Sequence, residues 1–340
     1  KSVVDRMVAY RILLVALLAG AAAAEEYGPF TKDFYKFLQT YGRRVHNEYA
    51  ISSYDQYGST GTFGGRAANE TTSLTHQPVL FVHGNSDSAL WFSKDAPGWD
   101  NSVRYFNAKN YSGFELYGLT YGSRNLSHSL LNSITCRNLV GIRRFIEAIL
   151  SYTQADKMDI IAHSMGVSLA RKAVQGGVVH LTEERCDLGP SLSHRVDALV
   201  AISGANYGMC LCLDPKTVSM PACGQEGFTP GTCGKADATF ANCAVQKNSC
   251  EKDDYASVLR QINQGPKEAS FVASLWSKDD NVLGIGNTAW GRQTSVVPTS
   301  NYKFAYDNYD HPRTKTDTYV DQYNLVTTHS RHGGRSWRIY

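Results

Sequence analysis

The stretch Lys157–Ala173, KMDIIAHSMGVSLARKA, decides the fold. Its first half is a short apolar run typical of a buried strand, and its second half has the apolar spacing of an amphipathic helix. Ser164 lies at the turn between them, with the small residues Ala162 and Gly166 two positions to either side. Small residues are needed there because the strand and the helix approach closely. Ser164 is therefore either an exposed nucleophile or the N-cap of the helix, since such a turn favours both.

Apolar runs and helical patterns alternate along the chain from residue 78 onwards. The sequence predicts strands at 78–84, 114–122, 157–164, 195–204, 269–277 and 301–309, and helices at 139–152, 165–174, 255–262 and 318–329. Strands that alternate with helices favour a mostly parallel sheet with helices on both faces. Residues 77–340 are expected to form this domain. Residues 25–76 are polar and rich in Gly and Tyr, and we expect an extension with little regular structure beyond a helix at 31–42.

The first 24 residues have the plan of a secretory signal peptide. Arg11 precedes a short apolar run, and small residues follow up to Ala24. The run is too short for a comfortable membrane span, and the alternative is a buried core helix. Met7 stands where an initiator is expected, so residues 1–6 are expected not to be native. Cleavage after Ala24 removes three basic residues and one acidic residue, which lowers the formal charge from +3 by 2 to +1. Neither nucleic acid nor an acidic partner is indicated.

Eight cysteines follow, namely Cys136, Cys186, Cys210, Cys212, Cys223, Cys233, Cys243 and Cys250. An even number behind a signal peptide predicts disulfides, whose pairing the sequence leaves open. The alternative is zinc, but the paired CxxC spacing of a structural zinc site is missing, so no metal is expected. Six of the eight lie in an irregular segment at about 207–253. Glycosylation triplets at Asn69, Asn110 and Asn125 fit a secreted protein.

The strand at 78–84 ends in a loop that fits an oxyanion hole. In hydrolases of this plan, one backbone N–H comes from the loop after an early strand and one from the residue after the nucleophile. These positions are Asn85 and Met165. His83 is interpreted as a structural histidine that holds the loop through its side-chain hydrogen bonds.

An acid and a base should follow the nucleophile along the chain. Asp279 and Asp280 lie just past a predicted strand, and His311 lies just past the last one. His329 and His332 are alternatives for the base. The last helix would carry His329 well away from the strand edge, and a histidine at a helix C-terminus is favoured by the dipole in any case. The spacing favours His311 and leaves both aspartates open.

Four segments, in this order, resemble the class 2 triacylglycerol lipases of the α/β-hydrolase superfamily, and in particular the secreted lipase-like proteins of nematodes. They are PVLFVHGNSDSALWF (78–92), IIAHSMGVSLARKAV (160–174), SLWSKDDNVLG (274–284) and DHPRTKTDTYVDQYNLVTTH (310–329). The resemblance covers most of residues 60–330, and the AHSMG turn is also similar to that of small bacterial lipases. It departs from the usual motif at Ala162, where most such hydrolases have Gly.

The resemblance implies an α/β-hydrolase fold and a carboxylic ester hydrolase without a cofactor. Ser164 would be the nucleophile, Asp280 the acid and His311 the base. Asp280 is preferred to Asp279 because it takes the acid's place in the family pattern S-x-x-D-x-[IV]-[VL]. The implied partner is a lipid ester at a lipid–water interface, with no nucleic acid and no transmembrane segment in the mature chain.

The Cys-rich segment at about 207–253 follows the sixth strand in the family's plan, where many such hydrolases carry a cap. It is either a lid over the active site or a disulfide-stapled surface element, and we favour the latter or a fixed wall of the pocket. Three other functions stay open: a short-chain esterase, a phospholipase, and a catalytically inactive lipid-binding protein on the same fold.

Overall fold

A seven-stranded β-sheet forms the centre of the molecule. The computed structural model describes residues 27–45, 47–70, 73–248, 250 and 252–332, so the expected signal peptide lies outside the described residues. The strands are β1 (Thr62–Phe63), β2 (Val79–Val82), β3 (Leu116–Leu119), β4 (Met158–His163), β5 (Val178–His180), β6 (Arg185–Asp187), β7 (Val196–Ile202), β8 (Phe271–Ser277), β9 (Thr288–Ala289), β10 (Arg292–Gln293) and β11 (Tyr302–Tyr306). The central sheet has the order β1-β3-β2-β4-β7-β8-β11. β1 is antiparallel to β3 and the other neighbours pair in parallel, which confirms the predicted sheet.

Helices cover both faces of this sheet, as the sequence predicts. They are α1 (Lys32–Val45), α2 (Glu48–Tyr57), α3 (Asp100–Asn107), α4 (Cys136–Thr153), α5 (Met165–Gln175), α6 (Phe240–Val245), α7 (Ser257–Asn263), α8 (His311–Thr316) and α9 (Tyr319–Thr328). Along β4, Ile160 and Ala162 belong to one apolar core and Ile161 to the other, because successive strand side chains face opposite sides. The first core receives α1, α2, α4, α5 and α7, and the second receives α3 and α9. Burial on both faces explains the unbroken apolar runs of these strands.

The N-terminal extension has more regular structure than the sequence analysis expects. The predicted helix at 31–42 is confirmed as α1, and the extension also forms the helix α2 and the strand β1, which joins the edge of the sheet. Phe34 and Leu38 lie four residues apart on α1 and are fully buried. The Phe34 ring contacts that of Tyr117 in β3, with 5.1 Å between centroids. The expectation is wrong because this segment's apolar side chains are mostly aromatics scattered through a polar sequence. Their burial depends on strands that come much later in the chain.

All eight cysteines form disulfides, which confirms that prediction. The pairs are Cys136–Cys186, Cys210–Cys243, Cys212–Cys223 and Cys233–Cys250. The last three close the Cys-rich insertion on itself. This insertion follows β7, the next strand of the sheet after the one that ends at Ser164, and β5 and β6 form a separate hairpin. Trp290, in the turn between β9 and β10, is 1% exposed and donates its Nε1–H to the Gly231 carbonyl at 2.9 Å. This contact holds the insertion against the β9–β10 hairpin.

Candidate active site

Ser164 occupies the turn between β4 and α5 in a strained backbone conformation. Its φ of 53° and ψ of −127° are rare for a residue with a side chain. The backbone holds this turn, because the Ser164 N–H donates to the Ile202 carbonyl at 2.8 Å and its carbonyl accepts from the Val167 N–H at 3.0 Å. Ser164 stands in the N-cap position, but its side chain makes no capping hydrogen bond. The side chain is partly exposed among buried neighbours, so the hydroxyl is left available to a bound molecule.

Two glycines allow the close approach that this turn requires. A Cβ at Gly166 would lie 2.3 Å from the His83 carbonyl oxygen and 2.7 Å from that of Val82, so a larger residue would push α5 away from β2. A Cβ at Gly84 would lie 3.0 Å from the Ser164 Cβ. The loop after β2 therefore runs directly alongside the Ser164 turn.

His311 and Asp280 form a close side-chain pair at the same edge of the sheet. The Nδ1 atom of His311, at the start of α8, lies 2.7 Å from Oδ2 of Asp280, which follows β8. The other oxygen, Oδ1, accepts the N–H groups of Val282 at 2.9 Å and Leu283 at 2.8 Å. Burial on its own raises the pKa of Asp280, but the adjacent imidazole and these two donors outweigh it and hold that pKa below the usual value. The carboxyl is therefore ionised at neutral pH and can orient the imidazole of His311.

The structure places the other candidates for acid and base elsewhere. Asp279 is exposed, and its carboxylate accepts the Asn308 N–H at 2.7 Å. His329 lies at the opposite edge of the sheet, with Nε2 3.0 Å from Asp197 near the start of β7 and the ring stacked on Phe271 at the start of β8. At the usual rise per residue, the two ends of β7 are about 16–20 Å apart. His332 lies beyond α9 and is exposed.

His163 is a site residue that the sequence analysis missed. Its ring lies 4.6 Å from the ring of His311, and its Nε2 lies 3.2 Å from the His311 carbonyl oxygen, to which it donates. The buried Nδ1 has no hydrogen-bond partner among the described residues. Burial lowers the pKa of His163 well below its usual value, so the ring is neutral. Because His163 directly precedes Ser164, this contact brings the turn and α8 together. The only signal in the sequence was its place inside the AHSMG turn.

The loop after β2 is fixed by the side chain of Asn85. Its Nδ2 donates to the Ser129 carbonyl at 2.8 Å, and its Oδ1 accepts the Nδ2–H of Asn132 at 2.7 Å. Within the described residues, neither the backbone N–H of Asn85 nor that of Met165 donates to another backbone or side-chain group. Both N–H groups can therefore serve a ligand oxygen beside Ser164.

His83 holds the same loop from below, in line with its interpretation as a structural residue. Its Nε2 accepts the Tyr121 N–H at 3.0 Å, so the ring proton is on Nδ1, which donates to the Gly84 carbonyl at 2.6 Å. The ring stacks on that of Tyr121 at 4.2 Å. Burial lowers the pKa of His83 to about 4, so the ring is neutral at physiological pH.

A buried ion pair joins this loop to α8. The Nζ of Lys315 lies 2.5 Å from Oδ2 of Asp87, and both side chains are nearly inaccessible. Lys315 also lies over the ring of Trp99 at 5.0 Å, and Asp87 accepts the Gly98 N–H at 3.1 Å. The pair spans the two segments that carry Asn85 and His311, so it fixes them relative to each other. No pattern in the sequence indicates this contact.

Nowhere in the described part of the chain do three or more His, Cys, Asp or Glu side chains gather as metal ligands would. None of its helices is both long and apolar enough to cross a bilayer.

Comparison with known proteins gives one family and several distant structures. No curated protein matches the chain. Among solved structures, lipase B of Aspergillus fumigatus is 12% identical with a TM-score of 0.47, and the match covers 77% of this chain and 55% of that one. This chain thus spans about half of that lipase. A monoacylglycerol lipase of Paleococcus ferrophilus is 14% identical with a TM-score of 0.42, covering 79% of this chain and 98% of that one. An α/β hydrolase from a sediment metagenome of the Mar Chica lagoon is 14% identical with a TM-score of 0.40, covering 80% and 94%.

The family comparison covers most of the chain. The model for "Lipase (class 2)" matches residues 76–324, which include the Ser164 turn, the loop with Asn85 and the His311–Asp280 pair. Over the same residues the chain forms the mostly parallel, helix-covered sheet described above. The chain therefore belongs to the class 2 lipase family, and it is a carboxylic ester hydrolase with an α/β-hydrolase fold.

Proposed function

We propose that the protein is a secreted serine hydrolase that cleaves the carboxylic ester bonds of lipids through a triad of Ser164, His311 and Asp280. The His311–Asp280 contact of 2.7 Å, at the sheet edge that carries the Ser164 turn, is the observation that supports this most strongly. A serine hydroxyl becomes nucleophilic when a base removes its proton and a third group orients that base.

In the first half of the reaction, the Oγ of Ser164 attacks the ester carbonyl carbon and His311 Nε2 takes the hydroxyl proton. Asp280 holds the proton on Nδ1 and stabilises the imidazolium that forms. The N–H groups of Asn85 and Met165 donate to the oxyanion of the tetrahedral intermediate. Collapse of this intermediate breaks the bond to the alcohol oxygen, and His311 gives its proton to the leaving alcohol. An acyl group remains on Ser164.

In the second half, water attacks the carbonyl carbon of the acyl-enzyme, and His311 Nε2 takes a proton from that water. The second tetrahedral intermediate uses the same two backbone donors. Its collapse breaks the bond to Ser164 Oγ, which takes back the proton from His311. The products are the carboxylic acid and the free enzyme, so the proton balance closes without a cofactor.

Exposed apolar side chains at this edge of the sheet support a lipid substrate. Trp91 and Phe92, in the loop after β2, are 58% and 46% exposed. Leu126 and Leu131, in the segment after β3, are 51% and 56% exposed. Exposed apolar side chains that cluster beside a candidate site are typical of an interaction surface, whereas singly scattered ones are not. We propose that they contact a lipid surface.

The proposal of secretion rests on the disulfides and on the glycosylation triplets. Four disulfides are characteristic of an oxidising compartment. The side chains of Asn69, Asn110 and Asn125 are all exposed, as an attached glycan requires. Mass spectrometry of the protein from a eukaryotic secretory host tests this, and unmodified asparagines at all three sites would contradict glycosylation. The relationship to nematode proteins in particular stays a prediction.

We propose that the Cys-rich insertion is a fixed wall of the site rather than a mobile lid. Its three internal disulfides limit its freedom, and its backbone is joined to the rest of the domain. The Ile134 N–H donates to the Glu226 carbonyl at 2.8 Å, and the Val258 N–H to the Gln225 carbonyl at 3.2 Å. Hydrogen exchange with and without lipid tests this, since a lid would lose protection over 207–253 when lipid is added.

The central experiment compares Ser164→Ala with Ser168→Ala. Ser168 lies one helical turn further along α5, is fully buried and has no side-chain hydrogen bond among the described residues. Ser164→Ala should abolish turnover of a p-nitrophenyl ester and labelling by a fluorophosphonate, whereas Ser168→Ala should retain both. Wild-type turnover by Ser164→Ala would exclude it as the nucleophile. Failure of the wild-type protein to label would favour an inactive lipid-binding protein.

The identity of the lipid is tested separately. A series of esters of increasing chain length, offered as monomers and as emulsions, distinguishes a lipase from a short-chain esterase. A lipase should be more active on the emulsion. An esterase should prefer short monomeric esters.

A further inference from the structure

A polar cavity of about 810 Å³ lies beside the candidate active site and has no part in the chemistry above. Its walls come from α2, the N-terminal end of α4, the loop after β2 and the segment after β3. The volume falls in the range typical of small-molecule sites. Two arginines, Arg124 and Arg137, line it together with hydroxyl-bearing side chains that include Tyr49 and Tyr57.

Arg124 is held as an anion-binding group would be. Its guanidinium contacts two aromatic rings, with Cζ 3.7 Å from the centroid of Phe92 and 4.5 Å from that of Tyr57. Its Nη1 donates to Thr60 Oγ1 at 2.7 Å. No carboxylate within the described residues forms an ion pair with it, and its other nitrogens have no hydrogen bond there. A planar, stacked guanidinium with free N–H groups is preorganised to bind an oxyanion.

Arg137 adds a second unpaired positive charge to the same cavity. It is exposed at the start of α4 and, among the described residues, has neither an ion pair nor a hydrogen bond from its side chain. Burial raises the pKa of Tyr57, and both guanidinium groups oppose that rise, so both lie within electrostatic reach of one hydroxyl. Among the described lining residues the carboxylate is Asp95, which is exposed at the rim. The lining therefore has a net positive charge.

The cavity is continuous with the loop that carries Asn85. Thr120 lines the cavity, and its Oγ1 accepts the Ala89 N–H of that loop at 3.0 Å. Thr120 directly follows β3, and Ser164 directly follows β4, with β2 between the two strands. At the usual strand spacing this separates the two points by about 10 Å across the sheet. Phe92 and Leu126, which belong to the exposed apolar set, also line the cavity.

We propose that this cavity binds the phosphate headgroup of an anionic phospholipid whose acyl chains lie along the exposed apolar side chains. Two arginines without an ion pair supply the charge, the hydroxyls of Ser52, Ser93 and Ser123, which donate to no described group, supply further donors, and the apolar rim accepts the chains. A headgroup held there keeps the same lipid at the face of the protein that carries the Ser164 turn. This names a phosphate-bearing lipid as the substrate class and so rests on the proposed ester hydrolase, but binding at the cavity can be measured without catalysis.

The experiment is calorimetric titration of Ser164→Ala protein, which keeps the lipid intact. The ligands are short-chain phosphatidylglycerol below its micelle concentration, a diacylglycerol with the same chains, and inorganic phosphate. Arg137→Gln and Arg124→Gln are made in the same background. The matched control is Lys303→Gln, which removes one exposed positive charge from β11 at the opposite end of the sheet. Arg137→Gln keeps the test sound if Arg124→Gln is unstable, because Arg137 is exposed and its described contact is a distant one, with Cζ 6.0 Å from the centroid of the Tyr49 ring.

We expect phosphatidylglycerol to bind more tightly than diacylglycerol or inorganic phosphate, and each arginine variant to lose about tenfold or more in affinity. Lys303→Gln should bind as the parent does. Equal affinity for diacylglycerol, or arginine variants that bind normally, would overturn the headgroup site. If inorganic phosphate binds as tightly as the lipid, the cavity is a site for a free anion and the headgroup proposal is overturned. An equal loss in Lys303→Gln would indicate general electrostatic attraction, which also overturns the proposal. A protein without hydrolase activity would leave all these results unchanged, because they measure binding of intact lipid and not turnover.

Discussion

The buried ion pair between Lys315 and Asp87 provides a test of how the site is held together. The two side chains are 1% and 9% exposed, and their charged atoms are 2.5 Å apart. Lys315→Met keeps most of the aliphatic chain but removes the cation, and it leaves Asp87 with only the Gly98 N–H as a described donor. Removing one partner of a buried pair costs about 3–5 kcal/mol. We expect the free energy of unfolding to fall by that amount at about pH 7.

The pH dependence of this loss has a defined sign. Burial alone raises the pKa of Asp87, but Lys315 outweighs it and holds the pKa below the usual value. The pair therefore stabilises the native protein at pH values above the pKa that the Asp87 carboxyl has in the unfolded chain. This stability is lost as the pH falls through the lower pKa that the carboxyl has in the folded protein. Without Lys315, burial remains and the pKa of Asp87 should rise above its unfolded value. The variant is then stabilised as the pH falls, so its deficit should shrink from about pH 7 to about pH 5.

Urea denaturation of Lys315→Met, Asp87→Asn and the double variant measures this coupling. Each single variant leaves a buried polar group without its partner, whereas the double variant leaves none that is charged, so its loss should be clearly smaller than the sum. Turnover of a soluble ester should also fall in Lys315→Met, mainly in kcat, because the pair joins the segments of Asn85 and His311. Losses that add, together with a deficit below about 1 kcal/mol, would refute the role of the pair.

Three further predictions concern Asp280, the buried carboxyl of Asp159 and the exposed ring of Trp91. Asp280→Asn should lower kcat about 10⁴-fold by disturbing the tautomer of the imidazole, whereas exposed Asp279→Asn should leave kcat nearly unchanged in the same assay. Burial raises the pKa of Asp159 well above its usual value, so Asp159→Asn should stabilise the protein by about 1 kcal/mol or more near pH 7. Denaturation at several pH values should show that gain shrinking toward about pH 4. Trp91→Ser should lower activity on emulsified ester several-fold without changing that on monomeric ester, and equal losses on both would contradict a lipid-contacting role.

The strands and helices of the domain could be predicted because their signals are local. β4 and β7 are buried on both faces, so nearly every residue is apolar and the run is visible without knowledge of its neighbours. α4 shows its apolar face at helical spacing for the same reason. The N-terminal helices were partly missed because Phe34 and Tyr117 lie far apart in sequence and only their contact shows that the segment is buried.

Only those site residues that lie within a local sequence motif could be predicted. The Ser164 turn has a local signature, since Gly166 is required by the approach of β2. The contact between Lys315 and Asp87 has none, because two charged residues far apart in sequence form no pattern until the chain folds. The same is true of Arg124, whose role depends on aromatic rings from two other segments.

Three unfavourable features gather at one edge of the sheet, and this suggests why the neighbouring contacts are so numerous. Ser164 has a backbone conformation that costs about 1–3 kcal/mol, His163 has a buried nitrogen with no described partner, and Asp280 is a buried carboxylate. Each feature is energetically unfavourable in its own segment of the chain. It persists only where the contacts of the surrounding structure enforce it. The Ile202 carbonyl at the end of β7, the β2 backbone against Gly166 and the Lys315–Asp87 pair supply that constraint. Favourable contacts around Ser164 therefore hold its backbone in a strained conformation. This arrangement is expected of a residue that is retained for chemistry rather than for stability.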